Sequence, residues 1–163
     1  MEARTETLAP YTVAATDKQA IIAQALALLE DDLRQRTAFH TPGAVKDYLI
    51  LHNGRRTDQY IEVFSVLFLD SQNRMVAIED MFTGTLTQTS VYPREVVRAA
   101  LRHNAACVVL THNHPSGSVE PSRADEALTQ NLKASLALID VRVLDHIITS
   151  GNRSLSMAER GLL

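Results

Sequence analysis

The sequence predicts a mixed α/β (α+β) domain, a central sheet flanked by helices and preceded by a helical extension. Length and composition come first: 163 residues, 45% hydrophobic and 21% charged, are ordinary for one globular domain. They are too few for a (β/α)₈ barrel of about 250 residues. Second, the apolar period is helical before residue 54 and strand-like after residue 60. Third, strand-like and helix-like runs then alternate in the order β-β-β-α-β-α-β, a pattern of mixed α/β domains.

Residues 1–16 are small and polar without a period and read as a loose arm. Asp17 is a candidate N-cap, and Ile21, Ile22, Ala25, Leu26, Leu28, Leu29 and Leu33 form an apolar stripe at helical spacing. That stripe can pack on the domain or on a second copy of the chain, as in a homodimer. Residues 37–42 break the helix, and a second, over 44–51, stops at Asn53-Gly54. Residues 60–69 are β-branched and aromatic at strand length, Asp70-Ser71-Gln72-Asn73 is a turn, and 74–78 return as a hairpin. A Thr-rich stretch, 83–89, is a third strand or a loop. Pro93 and Glu95 open a helix whose inner face is Val96, Val97, Ala100 and Leu101.

Residues 106–110 form a continuously apolar strand of the kind buried on both faces. The single cysteine, Cys107, lies within it and reads as a small buried hydrophobe. A loop holding Pro115, Gly117 and Pro121 leads into a helix over 122–138. Residues 141–149 close the sheet, and 154–163 are a short tail.

Charge and cysteine usage exclude several functions. Sixteen basic against nineteen acidic side chains leave a net charge of −3, which supplies no broad cationic surface and disfavours direct DNA binding. One cysteine allows neither an internal disulfide nor a Cys-rich zinc site. The first residues carry two acids and no signal-peptide core, and no run approaches the ~18 apolar residues of a membrane span. The expectation is a cytoplasmic protein with no membrane partner.

The chemistry concentrates in Thr111-His112-Asn113-His114, where the apolar strand runs out. Strand residues two apart point to one side, so His112 and His114 can converge while Asn113 faces away. Asp125 follows in the next helix, with Ser122 before it. Two imidazoles and a carboxylate suffice for a catalytic Zn²⁺ site that leaves its fourth position to water. A plainer account stands beside this one. Ser122-Arg123-Ala124-Asp125 fits a capping box, and paired histidines near a loop are common bystanders. Other His-x-His classes fit less well. A metallo-β-lactamase-like site wants an acid at Ser116, and a cupin-like site wants a glutamate nearer to His114 than Glu120. A 2-His-1-carboxylate iron site usually places its acid two residues after the first histidine, and His-Asn-His nucleases spread those residues over a ββα unit. His146 reads as a partly buried histidine with one partner, and His40, His52 and His103 as surface residues.

His112-x-His114, then Ser122 and Asp125, resembles the JAMM motif of the MPN-domain metallopeptidases. His112-Asn113-His114-Pro115-Ser116-Gly117 with Pro121-Ser122 and Asp125 is more narrowly similar to the bacterial RadC family. The likeness extends to Glu62-Val63-Phe64, Leu67-Phe68-Leu69-Asp70, Gly84-Thr85, Pro93-Arg94-Glu95, Asp145-His146-Ile147-Ile148 and Ser154-Leu155-Ser156. It departs at Tyr92, where the family often has histidine, and at Ser118, where it often has an acid. The resemblance divides the chain into an arm and helix, 1–40, and an MPN/JAMM domain with cytidine-deaminase-like layering, 41–163. It implies a short form without the family's N-terminal helix-hairpin-helix module. It further implies Zn²⁺ held by His112, His114 and Asp125, Glu62 as general base, and Ser122 as hydrogen-bond donor to an oxyanion. Glu79 is a rival to Glu62, and either acid could simply face solvent. The implied activity is hydrolysis of a peptide or isopeptide bond in an unidentified peptide or protein substrate. A non-catalytic, zinc-stabilised interaction module in DNA repair or recombination is the alternative, and a metal-free domain with a vestigial motif is a third.

Overall fold

The computed structural model describes residues 15–35, 41–56, 60–84 and 91–163. Their elements run α1 (Ala15–Gln35), α2 (Pro42–Gly54), β1 (Glu62–Leu69), β2 (Met75–Gly84), α3 (Pro93–Arg102), β3 (Cys107–Asn113), α4 (Arg123–Ala137), β4 (Arg142–Ser150) and β5 (Arg153–Ser156). The strands form one mixed sheet in the order β2-β1-β3-β4-β5. Pairing is antiparallel except between β3 and β4, which run parallel with α4 as their crossover. No helix among the described residues is long and apolar enough to cross a membrane.

The sheet is covered on both faces, as its central sequences require. Phe64, Val66 and Phe68 of β1, with Val108 and Leu110 of β3, pack against Val96, Ala99, Leu132 and Leu136 of α3 and α4. Leu67, Leu69, Cys107 and Val109 face the other way, onto Leu26, Val45, Tyr48 and Leu49 of α1 and α2. Strand alternation thus feeds two cores from one run of apolar residues. Full burial of a leucine such as Leu132 contributes roughly 1.5–3 kcal/mol.

Several expectations change. Helix α1 begins at Ala15, so Asp17 lies inside it rather than at its cap. Leu26 is buried, but Ile21, Leu28 and Leu29 of the expected stripe are exposed. Helix α2 extends past 44–51 in both directions, with Thr41 accepting from the Ala44 amide at its N-cap and proline in the first turn. The returning strand runs on to Gly84, absorbing the start of the Thr-rich stretch. On α3 the inner positions are Val96, Ala99 and Ala100, while Leu101 is exposed, because 96, 99 and 100 follow the helical period. Residues 142–150 do not close the sheet; β5, expected as tail, adds an edge strand outside them. The order is therefore β-β-α-β-α-β-β behind two helices. Of the expected arm over 1–16, residues 15 and 16 open α1; residues 1–14 and 85–90, the Leu33 side chain and His40 lie outside the described residues.

Candidate metal centre

Strand β3 changes chemistry at its end, from Leu110 to Thr111, His112 and Asn113. His112 shares the α3–α4 side with Val108 and Leu110, and is 1% exposed. Thr111 turns to the α2 side, where its hydroxyl accepts from Asn53 Nδ2 at 3.3 Å. The Asn113 amide reaches β1, donating to Ile61 O at 2.9 Å and accepting from Val63 N at 2.9 Å. It thereby grips the peptide groups on both sides of Glu62.

His114 is fixed by its own backbone and ring. Its N–H donates to Thr149 O at 2.8 Å, and its carbonyl accepts from Ser150 Oγ at 2.8 Å. The chain then reverses through Gly117, whose φ of 88° suits glycine. The reversal brings the Ser118 carbonyl to 3.1 Å from His114 Nδ1. A carbonyl only accepts, so Nδ1 carries a proton, and in the neutral ring Nε2 presents its lone pair to the site.

Ser122 caps α4 through a complete capping box. Its Oγ accepts from Asp125 N at 3.1 Å, while Asp125 Oδ2 accepts from Ser122 N at 2.7 Å and Ser122 Oγ at 2.6 Å. Both sequence readings of Ser-x-x-Asp meet here. Oδ2 completes the cap, and Oδ1 lies 3.4 Å from His112 Nε2. The two Nε2 atoms are 2.9 Å apart, and Asp125 Oδ2 is 3.7 Å from His114 Nε2. Tetrahedral Zn²⁺ with ligands at roughly 2.0–2.1 Å spaces them about 3.3 Å apart. One donor atom from each of the three residues lies within 4.8 Å of the others, close enough to converge on one ion, and the donors, two imidazoles and a carboxylate, are a zinc-type set.

The electrostatics divide the two histidines. Burial pushes His112 down to about 4, with the Asp125 carboxylate opposing. The Asp125 carboxylate, 3.7 Å from His114 Nε2, raises His114 above the ordinary imidazole range. Against the upward push of burial, His114 and His112 hold the Asp125 carboxyl well below its usual range. The carboxylate is thus ionised and one imidazole neutral at pH 7, as metal ligands must be.

Glu62 opens β1, two residues before Phe64, which pairs with His112. It therefore shares the face of His112 at the His114 end, and its charge contributes to raising His114. Its rival is occupied elsewhere. Glu79 lies in the row of Val66 and Leu110 and is bound by Arg102 at 2.6 Å and His103 at 2.5 Å.

His146 departs from expectation. It is fully buried and has two ring partners, His112 Nδ1 at 2.9 Å and Thr129 Oγ1 at 2.6 Å. Thr129 carried no sequence signal of its own, since its approach depends on the β3–β4 register. His52 is also not a surface residue; it is buried on α2 and bonded to Asp80 at 2.9 Å. That burial was readable, because Val45, Tyr48, Leu49 and His52 follow one helical stripe. His103 is half-buried against Glu79. A cleft of about 290 Å³ opens beside His114, lined by Asn53, Arg56, Asn113, Pro115 and Ser150.

Comparison with known proteins identifies the family. The model of the RadC-like JAB domain matches residues 39–162. A UPF0758 protein of Variovorax paradoxus (strain S110) is 62% identical over 144 residues, 88% of this chain and 63% of the relative. Another, of Acidovorax sp. (strain JS42), is 63% identical over 144 residues, 88% of this chain and 59% of the relative. A third, of Albidiferax ferrireducens, is 65% identical over 135 residues, 83% of this chain and 56% of the relative. The chain thus spans about three fifths of the length of these relatives. A match over most of the chain, which includes the His-x-His and Ser-x-x-Asp segments, makes it a member of the RadC family with a RadC-like JAB domain.

Proposed function

We propose that the chain is a zinc-dependent hydrolase of peptide or isopeptide bonds, with His112 Nε2, His114 Nε2 and Asp125 Oδ1 as the protein ligands. The observation that carries this reading is the cluster at the Glu62 end of β1, with His112 Nε2 and His114 Nε2 2.9 Å apart, Asp125 Oδ1 3.4 Å from His112 Nε2 and Asp125 Oδ2 3.7 Å from His114 Nε2. When bound, zinc polarises a carbonyl and brings the pKa of a coordinated water to about 7.

The chain's residues do the rest. Glu62 takes a proton from the attacking water as the C–O bond forms and returns it to the leaving amine as the C–N bond then breaks. Ser122 turns its hydroxyl from Asp125 Oδ2 to the developing oxyanion. Oδ2 keeps the Ser122 N–H as partner when it does so. The cleft beside His114 would receive the extended substrate segment. Elemental analysis of untagged protein and a peptidase screen test the reading together. The expectation is one zinc per chain and turnover in wild type, zinc without turnover in Glu62→Gln, and neither in His112→Ala. Full zinc retention in the His112→Ala, His114→Ala double variant would overturn the ligand set. Bound zinc with no turnover on any peptide or isopeptide in wild type would favour a zinc-stabilised interaction module.

A further inference from the structure

The polar chain behind His112 ends at a backbone carbonyl, and that end fixes every proton along it. Thr129 Oγ1 lies 2.6 Å from Asp125 O, four residues earlier on α4, and 2.6 Å from His146 Nδ1. A carbonyl oxygen cannot donate, so the single hydroxyl proton of Thr129 points to Asp125 O. Oγ1 then meets Nδ1 with a lone pair, and the contact requires a proton on His146 Nδ1. The His146 ring is completely buried, and its ring hydrogen bonds among the described residues go to Thr129 and His112. A buried imidazole with no carboxylate in hydrogen-bond contact is neutral. Its Nε2 is therefore bare and accepts from His112 Nδ1–H at 2.9 Å.

The consequence falls on the site. With its proton on Nδ1, neutral His112 has a bare Nε2, and that atom faces His114 Nε2 and Asp125 Oδ1. The opposite tautomer would put a hydrogen where an ion must sit. Phe64 holds both rings in place, stacked on His112 at 6.4 Å and edge-on to His146 at 5.7 Å. We infer that Thr129 and His146 are positioning residues that set the His112 tautomer and so aim its Nε2 lone pair at the cation. His114 obtains the same tautomer directly, from the Ser118 carbonyl. Two peptide carbonyls thus orient both imidazoles, one of them through a relay of two side chains.

This inference rests on the proposed metal site only for its purpose, because the tautomer is measurable without metal. Histidine-¹⁵N NMR of the metal-free full chain should show His112 protonated at Nδ1 in wild type and in Thr129→Ser. Thr129→Val should lose that preference, with its circular dichroism unchanged. Its zinc affinity, read by competition with a chelator, should fall about 10–100-fold, as outer-shell partners typically dictate. Thr129→Ser should restore it. His112 protonated at Nε2 in wild type would overturn the inference, as would Thr129→Val keeping both tautomer and affinity. If Thr129→Val does not fold, the wild-type tautomer decides alone. Wild type that shows the Nδ1–H form yet binds no zinc upholds the relay and defeats the hydrolase reading.

Discussion

Asp125 Oδ2 is engaged by the cap of α4, accepting from Ser122 N and Ser122 Oγ, which leaves Oδ1 to face His112. The two roles should therefore separate by substitution. In Asp125→Asn the amide oxygen can take the Oδ2 position and keep the cap. Its NH₂ then meets the His112 Nε2 lone pair as a hydrogen-bond donor, which a ligand cannot be. The expected result is a melting temperature close to wild type in zinc-free buffer, with zinc binding lost. Ser122→Ala should do the reverse, losing about 1 kcal/mol of stability with the cap while zinc binding persists. Thermal denaturation and metal stoichiometry on both variants check the pair. A large loss of stability in Asp125→Asn would show that the carboxylate cannot be divided in this way.

At the level of elements, the site depends on the register of β1 against β3, and Asn113 fastens that register from the side. Its amide bonds Ile61 O and Val63 N, each at 2.9 Å. Asn113→Ala removes two hydrogen bonds of about 0.5–1.5 kcal/mol each. Hydrogen exchange at the Val63 amide should accelerate accordingly, while zinc stays bound, because the His112 and His114 rings have other anchors. Unchanged Val63 protection would mean that the ladder alone holds β1. This prediction also marks what the sequence made legible. His112, His114 and Asp125 obey local rules, a period of two along a strand and a three-residue cap spacing, so their convergence was readable. His146 and Thr129 were not, since His146 meets His112 only where β4 lies parallel to β3 with Leu110 opposite His146, and Thr129 meets His146 only where α4 packs on β4. No short-range pattern encodes that register. Strand β5 was missed for a related reason: Arg-Ser-Leu-Ser is too short and too polar to show a strand period, and its pairing with β4 defines it.

Across the whole molecule, a polar network staples α2 to the hairpin on the face opposite the histidine site, and it makes stability depend on pH. Asp80 Oδ1 on β2 accepts from His52 Nε2 at 2.9 Å, Ser65 Oγ at 2.8 Å and Arg56 at 2.7 Å, and Oδ2 accepts from Arg55 at 3.1 Å. His52 is 1% exposed, and its Nδ1 is buried without a hydrogen-bond partner. Protonating that atom would bury an unpaired N–H, and burial holds His52 below the ordinary imidazole range despite Asp80. Burial pushes Asp80 upward, but its bonds to His52 and Ser65 and the Arg56 charge hold it well below the carboxylate range. For His52 the unfolded chain takes the proton first, so stability present at neutral pH is lost as pH falls below about 6.5. For Asp80 the folded state resists protonation, so its contribution is complete above about 3.9 and is lost as pH falls further. Urea denaturation of zinc-free protein should therefore show two successive losses on acidification. His52→Gln should reduce the upper one relative to wild type, with His112, also held low by burial, keeping the rest. Asp80→Asn should flatten the lower one and cost on the order of 1 kcal/mol at pH 7, a figure reduced for solvent screening because the Asp80 side chain is 34% exposed. Stability that rose between pH 7 and pH 5 in the wild-type-minus-His52→Gln difference would reverse the sign and rule out a buried neutral His52. The two chemistries are thus kept apart by the sheet, with ionic stapling on the α2 face and the paired histidines on the α4 face.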